Sequence, residues 1–289
     1  MKCNACPRKC NVDRSKKLGF CREKDVLRGA RASLHFWEEP IISGKSGSGT
    51  VFFSGCNLKC VFCQNYEISA ENKGVEISFE SLKRIFNDLI EQGANNINLV
   101  NPTHFSDLLC EFLSKNKFPV PIVYNSSGYE SVETLKKFEG LIDIYLPDFK
   151  YIRNDKAKRY SKAEDYPQVV KNALKEMRRQ QKEDVIEDGL MKKGMIIRHL
   201  VLPSNTNSTL EILDYLKENY ENSYISLMSQ YVPCGDLSEY SEINRKLTKR
   251  EYEKVVCYAT DLGFKNVYVQ ELNSAEKNFI PVFDFSGIL

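Results

Sequence analysis

Short apolar runs alternate with longer segments of helical period over most of this chain of 289 residues. Runs of this kind, rich in valine, isoleucine and aromatic residues, are typical of buried strands. We predict strands at residues 50–53, 96–100, 121–124, 141–146, 195–200 and 224–228, with residues 266–269 as a seventh strand or an edge element. We predict helices at residues 78–92, 105–115, 130–138, 163–182, 207–218 and 248–262. Strands and helices that alternate in this way form a parallel sheet with right-handed crossovers, so the sequence predicts an α/β fold.

The composition is that of an ordinary globular protein, with 42% hydrophobic residues, 28% charged residues and a net charge of +2. This charge gives no indication of binding to nucleic acid or to a membrane surface. No apolar run approaches the roughly 18 residues of a membrane span, and the N-terminus has no apolar signal core, so we expect a cytoplasmic protein. No linker rich in Pro, Gly or Ser divides the repeat. We therefore predict one domain over residues 48–289, preceded by a cysteine-rich extension over residues 1–47.

Three cysteines follow the first predicted strand, in the segment from Gly55 to Asn65. Cys56, Cys60 and Cys63 have the spacing C-x3-C-x2-C and lie where the strand ends, which is where α/β sheets and barrels place their chemistry. An iron–sulfur cube normally takes four thiolates, and a structural zinc ion takes four ligands. This segment supplies three thiols and no histidine or carboxylate, so a cube bound here would keep one iron open. The alternative is a structural metal site that takes its fourth ligand from elsewhere.

The pattern C-x3-C-x-aromatic-C, with Phe62 in the aromatic position, resembles the signature of the radical S-adenosylmethionine (SAM) enzymes. The resemblance implies a partial (β/α)6 TIM-like barrel and a [4Fe–4S] cluster on the three cysteines, whose open iron binds the amino and carboxylate groups of SAM. In such enzymes the reduced cluster passes one electron to SAM, and the S–C5′ bond breaks to methionine and a 5′-deoxyadenosyl radical. That radical removes a hydrogen atom from the substrate. The alternative from another class is a metal-binding scaffold without catalytic activity.

Two further features resemble the activating enzymes of glycyl-radical proteins, such as pyruvate formate-lyase activating enzyme. Asp148 and Lys150 follow the fourth strand as Asp-x-Lys, and Arg198 lies within the apolar fifth strand. In that group these positions contact the cofactor, whereas a structural salt bridge between Arg198 and Asp148 is the alternative. The resemblance implies hydrogen abstraction from a protein glycine and an electron donor such as flavodoxin or ferredoxin. Another peptide, a nucleotide or a small metabolite is the alternative substrate.

Loops after other strands supply further candidates for cofactor binding. The candidates are Asn101, Thr103, Asn125, Ser127 and Gln230. The radical SAM family usually has a Gly-Gly-Glu turn where this chain has Asn-Pro-Thr-His at residues 101–104, so Asn101, Thr103 and backbone carbonyls would replace it. For Asn125 and Ser127 the alternative is a turn that only leads into the next helix.

Four cysteines near the N-terminus, Cys3, Cys6, Cys10 and Cys21, form a second group. Seven of the ten cysteines lie in the first 63 residues, and their density in a chain without a secretion signal favours metal binding over disulfides. We predict one metal on these four thiols, either zinc or an auxiliary iron–sulfur cluster. The Cys-Pro-Arg-Lys-Cys motif also resembles a poorly characterised branch of the activating enzymes.

Three other segments carry predictions. Residues 31–37 alternate polar and apolar side chains, which indicates an edge strand or a hairpin arm. His35, Glu38 and Glu39 either contact a metal or substrate or orient the loop that enters the barrel. The basic stretch 159–182 is predicted to be a solvated helix face. The apolar C-terminal stretch 278–285 either seals the barrel or lines its open side.

Overall fold

Strands and helices alternate along the chain, as the sequence predicts. The computed structural model describes residues 2–272 and 281–289. Its strands are β1 (Arg28–His35), β2 (Ser48–Phe53), β3 (Val75–Glu76), β4 (Ile97–Val100), β5 (Ile122–Ser126), β6 (Ile144–Pro147), β7 (Val185–Glu187), β8 (Leu190–Leu200), β9 (Tyr224–Met228) and β10 (Val267–Val269). Its helices are α1 (Pro40–Ser43), α2 (Tyr66–Ser69), α3 (Phe79–Glu91), α4 (Ser106–Lys115), α5 (Val132–Lys137), α6 (Asn154–Ser161), α7 (Tyr166–Gln180), α8 (Thr206–Tyr220) and α9 (Lys249–Asp261), with a 3₁₀ helix at Thr103–Phe105. Within these residues no helix is both long enough and apolar enough to cross a membrane.

The parallel strands form one sheet that does not close. Its order is β10-β9-β8-β6-β5-β4-β2-β1-β3, and every neighbouring pair from β10 to β2 is parallel. In the described part of the chain the two end strands do not pair with each other. The fold is therefore a partial α/β barrel, which confirms the predicted fold class. The seventh predicted strand is present as β10, at the edge next to β9.

The first strand of the protein comes from the predicted N-terminal extension. β1 runs antiparallel to β2, with Ala32 opposite Val51, and the short β3 pairs on its other side. The alternating pattern predicts an edge strand or a hairpin arm; the strand is present, but β3 forms the edge of the sheet. The C-terminal residues lie against β1, because the N–H of Ala32 donates to the carbonyl of Ser286. Phe283 packs edge-on against Phe52 of β2, with ring centroids 5.5 Å apart. Residues 278–280 of the apolar C-terminal stretch lie outside the described residues, and the domain boundary at residue 47 stays a prediction.

Several elements, including the short α1, α2 and β3, were not predicted from the sequence, and the two longest of them are a hairpin and a helix. The first is the hairpin of β7 and β8, which extends β8 to Leu190, where Leu190 pairs with Glu187. Its two-residue turn is Asp188-Gly189, with φ values of 50° and 77°, and Asp-Gly is a preferred sequence for a hairpin turn of this kind. The second element is α6, whose residues are mostly polar and therefore show no apolar period.

The two faces of the sheet pack against different partners. Tyr124, Tyr145 and Ile197 face the main layer of helices and belong to the largest apolar cluster. On the opposite, inner face, Val123 and other strand residues pack with Ile41 of the short helix α1. Because side chains alternate along a strand, each strand divides its residues between the helix layer and the barrel interior.

A pair of glycine substitutions tests how closely the loops after β5 and β6 pack. Gly128 has a φ of 74°, and a Cβ atom there would lie 2.3 Å from the carbonyl oxygen of Asp148. Gly140 has a similar φ of 77°, with no described atom within 4 Å of its Cβ position. We expect Gly140→Ala to lower the free energy of unfolding by roughly 1–2 kcal/mol, through backbone strain alone. Gly128→Ala adds a clash and should cost about 1–3 kcal/mol more in urea denaturation. Equal losses would contradict the packing.

Candidate functional site

Strand alternation carries charged side chains to the carboxyl ends of β6 and β8. Ile196 packs in the inner apolar cluster, and two residues later Arg198 lies on the same face of β8. In the same way Ile144 and Leu146 of β6 lead to Asp148, which forms a parallel bridge with Arg198. The barrel interior is therefore apolar at the amino ends of its strands and charged at their carboxyl ends.

Two cavities lie at this edge of the sheet. The central cavity, of about 240 Å³, is lined by the ends of β1, β2, β6, β8 and β9. The side cavity, of about 150 Å³, lies towards the cysteine loop and the ends of β4 and β5. The residues that line both are Cys60, Cys63, Asn65, Val100, Asn125, Asp148, Lys150 and Arg198. Cys56 lines the side cavity, so the three predicted cluster ligands share one hollow.

Hydrogen bonds fix the three sulfur atoms in the loop after β2. The hydroxyl of Ser161 donates to Cys60 Sγ at 2.9 Å, and that of Ser69 donates to Cys63 Sγ at 3.1 Å. The N–H of Leu58 donates to Cys56 Sγ at 3.4 Å. Neither serine was identified from the sequence, because Ser161 ends the unpredicted helix α6 and lies far from the loop in sequence. Donors aimed at sulfur stabilise thiolates, so the loop favours the form of cysteine that binds metal.

The thiols of the loop need a nearby positive charge to ionise. Burial raises the pKa of Cys60, and it raises the pKa of Cys63 to about 12, with Cys60 and Cys56 adding to the rise. Bound metal reverses this effect, because a coordinating thiol loses its proton. Among the described residues no three His, Cys, Asp or Glu side chains are arranged to hold a metal ion. A cube does not need them to converge on one ion, since each thiolate binds a different iron. The donor set therefore fits an iron–sulfur cube.

Arg198 forms the centre of a buried polar network. Its Nε donates to Asp148 Oδ1 at 2.9 Å, and its Nη1 donates to Glu38 Oε2 at 3.0 Å. Its Nη2 donates to Asn125 Oδ1 at 2.6 Å. Only 12% of the arginine side chain is exposed, with 14% of Asp148 and 11% of Glu38. The buried arginine thus has two anionic partners, Asp148 and Glu38. Its salt bridge with Asp148 forms part of the wall of the cavity.

Asp148 and Lys150 keep their charges although both are largely buried. Burial alone would raise the pKa of Asp148, but Arg198 and Lys150 together outweigh burial and lower it. Burial opposes the charge of Lys150, whereas Asp148, at 2.6 Å from its Nζ, raises the pKa of the lysine above its usual value. Both signs of charge therefore line the central cavity in a setting poor in water.

Glu38 is a site residue that the sequence offered only as an alternative. It follows β1, lines the central cavity and accepts hydrogen bonds from Asn98 and Asn125, each at 3.1 Å. Its neighbour Glu39 is buried, and burial raises the pKa of Glu39 although Arg198 opposes the rise. The signal was the pair of carboxylates at the end of an alternating strand, but only the fold brings that strand beside β2.

Most predicted cofactor residues lie at the two cavities. Phe62 and Gln230 line the central cavity, and Asn101 and Ser127 line the side cavity. Asn101 also holds the cysteine loop, because its Nδ2 donates to the carbonyl of Gly55 at 2.6 Å. Their roles in cofactor binding stay predictions.

Thr103 lies away from the site where the sequence led us to expect it. It is fully buried in the 3₁₀ helix after β4, and its hydroxyl donates to Glu130 Oε1 at 2.9 Å. It lines neither cavity. The reason is the helical turn that begins directly after Pro102, which carries Thr103 away from the edge of the sheet. Burial raises the pKa of Glu130 to about 7, so this partner of Thr103 is protonated over part of the neutral range.

The four N-terminal cysteines lie together, outside the two cavities. Cys6 and Cys21 are buried, which raises the pKa of Cys6 to about 12 and that of Cys21 to about 11. Cys3 and Cys10 are close enough to add to the rise at Cys6. A Cβ atom on Gly19 would lie 3.2 Å from Cys21 Sγ and 3.7 Å from Cys10 Sγ. The fold thus brings these thiols near one another, but among the described residues no three of them converge as the ligands of a single metal ion would. The shared metal stays a prediction.

Comparisons with known proteins agree with this geometry. A protein-family model described as the Radical SAM superfamily matches residues 50–216. An uncharacterized protein of Methanocaldococcus jannaschii is 34% identical over 280 residues, which cover 92% of this chain and 76% of the relative. A second protein of that organism, provisionally named as a glycyl-radical enzyme activating enzyme, is 32% identical over 136 residues, which cover 45% of this chain and 54% of the relative.

The histidine next to Arg198 gives a test of pH dependence. His199 lies on the opposite face of β8, where its Nδ1 bonds the carbonyl of Phe149 and its Nε2 bonds Thr209. Burial lowers the pKa of His199 to about 4, whereas an unfolded histidine has a pKa of about 6.5. Between these values the unfolded chain binds a proton that the folded protein does not, so this residue lowers stability as the pH falls. The free-energy gap between wild type and His199→Asn should narrow by about 2 kcal/mol between pH 7 and 4.5 in urea denaturation. A constant gap would contradict the buried neutral histidine.

Proposed function

Because the chain belongs to the radical SAM superfamily, we propose that it cleaves SAM reductively at a [4Fe–4S] cluster held by Cys56, Cys60 and Cys63. The observation that carries the proposal is the shared hollow: three thiols of one loop line a cavity together with charged side chains. The described residues lining that hollow include no further cysteine, so a cube there keeps an open iron.

A cluster held by these three thiolates would supply one electron, taken from an external donor such as flavodoxin or ferredoxin, for the reductive cleavage of SAM, and the cleaved cofactor would take a hydrogen atom from the substrate. The protein's own residues orient the cofactor. Lys150 and Arg198 offer donors to anionic oxygens, whereas Asp148 accepts from an ammonium group or from ribose hydroxyls. Ser127 supports the presence of a ligand, because its Oγ is buried without a hydrogen-bond partner among the described residues.

Packed aromatic rings lie behind the wall of the central cavity at Phe62. Phe62 is buried and meets Tyr231 and Tyr160 edge-on, with ring centroids 5.7 Å and 6.3 Å away. The hydroxyl of Tyr231 donates to the carbonyl of Ile243, so its ring is held in place. A rigid wall suits radical chemistry, because a reactive radical must meet only its substrate.

We further propose that the substrate is a polypeptide, with a glycine of a glycyl-radical enzyme as the site of hydrogen abstraction. Three observations support it. The sheet is open within the described residues, so a loop of a partner can approach the cavity from the side. Trp37 lines the central cavity while 63% exposed, and exposed aromatic residues are enriched at protein interfaces. One relative carries the provisional name of a glycyl-radical enzyme activating enzyme.

We also propose that Cys3, Cys6, Cys10 and Cys21 bind one metal. Support comes from the positions of the thiols and from the small size of their segment, which has little apolar core of its own. Zinc and an auxiliary iron–sulfur cluster are both compatible with four thiolates.

Substitution of one barrel cysteine tests the cluster. Cys60→Ala removes one of three ligands, so we expect loss of the paramagnetic signal that responds to SAM and a fall of at least about 100-fold in 5′-deoxyadenosine production. The matched control is Cys257→Ala, which removes an exposed thiol on α9 and should behave as wild type. The measurement is made after anaerobic reconstitution with iron and sulfide. A Cys60→Ala protein that keeps both the SAM-responsive signal and the cleavage activity would refute the assignment.

A partner assay tests the substrate. The reduced enzyme and SAM are incubated with glycyl-radical enzymes from the same genome. We expect a stable organic radical on one partner, with one 5′-deoxyadenosine formed per radical, and no radical on that partner when its target glycine is replaced by alanine. If every partner stays diamagnetic while a small metabolite stimulates cleavage and is itself altered, the polypeptide proposal is wrong.

A further inference from the structure

The N-terminal cysteine segment is hydrogen-bonded to the cysteine loop, residues 55–65, which carries the three barrel cysteines. The side chain of Arg8 makes the hydrogen-bonded part of this contact. Its Nε donates to the carbonyl of Asn57 at 2.8 Å, and its Nη2 donates to the carbonyls of Leu58 at 3.2 Å and Ser161 at 3.0 Å. Its Nη1 donates to the carbonyl of Lys162. One guanidinium thus joins two carbonyls of the cysteine loop to two at the end of α6.

Each pair of carbonyls that Arg8 binds includes one residue that donates a hydrogen bond to a barrel sulfur atom. Asn57 and Leu58 lie between Cys56 and Cys60, and the N–H of Leu58 donates to Cys56 Sγ. Ser161 is the residue whose hydroxyl donates to Cys60 Sγ. Arg8 therefore fastens the backbone from which two of the three sulfurs are held, although it touches neither sulfur.

Arg8 is itself held in one orientation. Its guanidinium carbon lies 4.1 Å from the ring centroid of Phe20 and 5.2 Å from that of Tyr129. Lys59 of the cysteine loop shares the ring of Phe20, with its Nζ 4.3 Å from the centroid. Stacking of this kind fixes the plane of a guanidinium and so the direction of its N–H groups.

A second contact joins the same two segments. Gly55, which begins the cysteine loop, has a φ of 81° and lies directly under the N-terminal segment. A Cβ atom at this position would come 2.7 Å from the carbonyl oxygen of Cys21 and 2.5 Å from Cγ of Glu23. The N-terminal segment thus covers the loop closely at its start as well as at Asn57 and Leu58.

One backbone turn carries both Arg8 and an N-terminal thiol. The N–H of Lys9 donates to the carbonyl of Cys6 at 3.0 Å, which closes a turn over residues 6–9. The turn that places Arg8 is therefore also the turn that presents Cys6.

We propose that metal binding by the N-terminal cysteines holds Arg8 against the cysteine loop, and that Arg8 is a positioning residue for the barrel cluster. The inference rests on the proposed function, because it assumes both a cluster on the three barrel thiols and a metal on the four N-terminal thiols. Since the N-terminal segment is short and polar, its own metal supplies the order that fixes Arg8 between Cys6 and Cys10. When that order is lost, the carbonyls of Asn57 and Leu58 lose their donors, and the spacing of the sulfurs relaxes.

The test compares Arg8→Gln with Lys9→Gln in full-length, reconstituted protein. Lys9 is the exposed neighbour in the same turn, so its substitution removes the same charge without touching the loop. The readouts are the iron content, the paramagnetic spectrum of the reduced cluster and the SAM concentration that gives half of the spectral change. We expect Arg8→Gln to keep its iron, to show a broadened spectrum and to need about 10–100-fold more SAM. Lys9→Gln should match wild type. If the two variants give the same spectrum and SAM response, the proposal is overturned.

Two more variants separate positioning from charge and from general stability. Arg8→Lys keeps the positive charge but cannot present the planar fork, so it should resemble Arg8→Gln; full recovery by lysine would overturn the positioning role. Cys21→Ser should lose the N-terminal metal and need the same raised SAM concentration as Arg8→Gln. The double variant should be no worse than either single variant, because both act through one contact, whereas additive effects would contradict the link.

The proposed function fails in a distinguishable way. A wild-type protein that assembles no SAM-responsive cluster would refute the cluster on Cys56, Cys60 and Cys63, whatever the variants show. A wild-type protein that responds to SAM, together with an Arg8→Gln protein that responds identically, would refute only the positioning role.

Discussion

The buried guanidinium of Arg198 is the interaction on which the site depends. An arginine inside a barrel is costly unless its charge and its N–H groups are matched, and here Asp148, Glu38 and Asn125 match them from three other parts of the chain. The network therefore pins the ends of β5, β6 and β8 to the segment after β1. Because Asp148 also holds Lys150, which lines both cavities beside the thiols, this network and the cysteine loop form one continuous wall.

The architecture could be predicted because one physical rule governs most of it. Buried parallel strands must be apolar, and the helices between them must be amphipathic, so each predicted strand appears in the sheet within a few residues. The two longest elements that were not predicted carry few apolar residues. The hairpin of β7 and β8 extends polar residues beyond the barrel, and its Asp188-Gly189 turn was the overlooked signal. Helix α6 is mostly polar, so its sequence shows no apolar period.

The site could be predicted only where the chain brings chemistry together locally. The spacing of Cys56, Cys60 and Cys63 and the Asp-x-Lys pair are local patterns, and they line the cavities. Contacts between distant segments were out of reach. Nothing in the sequence near Arg8 indicates that its guanidinium binds the carbonyls of Asn57 and Ser161. These residues lie 49 and 153 positions further along the chain. The position of Thr103 was not predicted for a related reason, because the turn after β4 directs its side chain towards Glu130.

The affinity of the reconstituted protein for SAM, measured in Arg198→Lys, tests the central claim most directly. Lysine keeps the positive charge but cannot bond Asp148, Glu38 and Asn125 at once, so only the arrangement of the wall changes. The affinity is read from the SAM-induced change in the spectrum of the reduced cluster. If the network organises the cofactor site, the iron content stays at the wild-type level and SAM binds about 10-fold more weakly or worse. An Arg198→Lys protein with wild-type iron content and wild-type affinity for SAM would contradict this account.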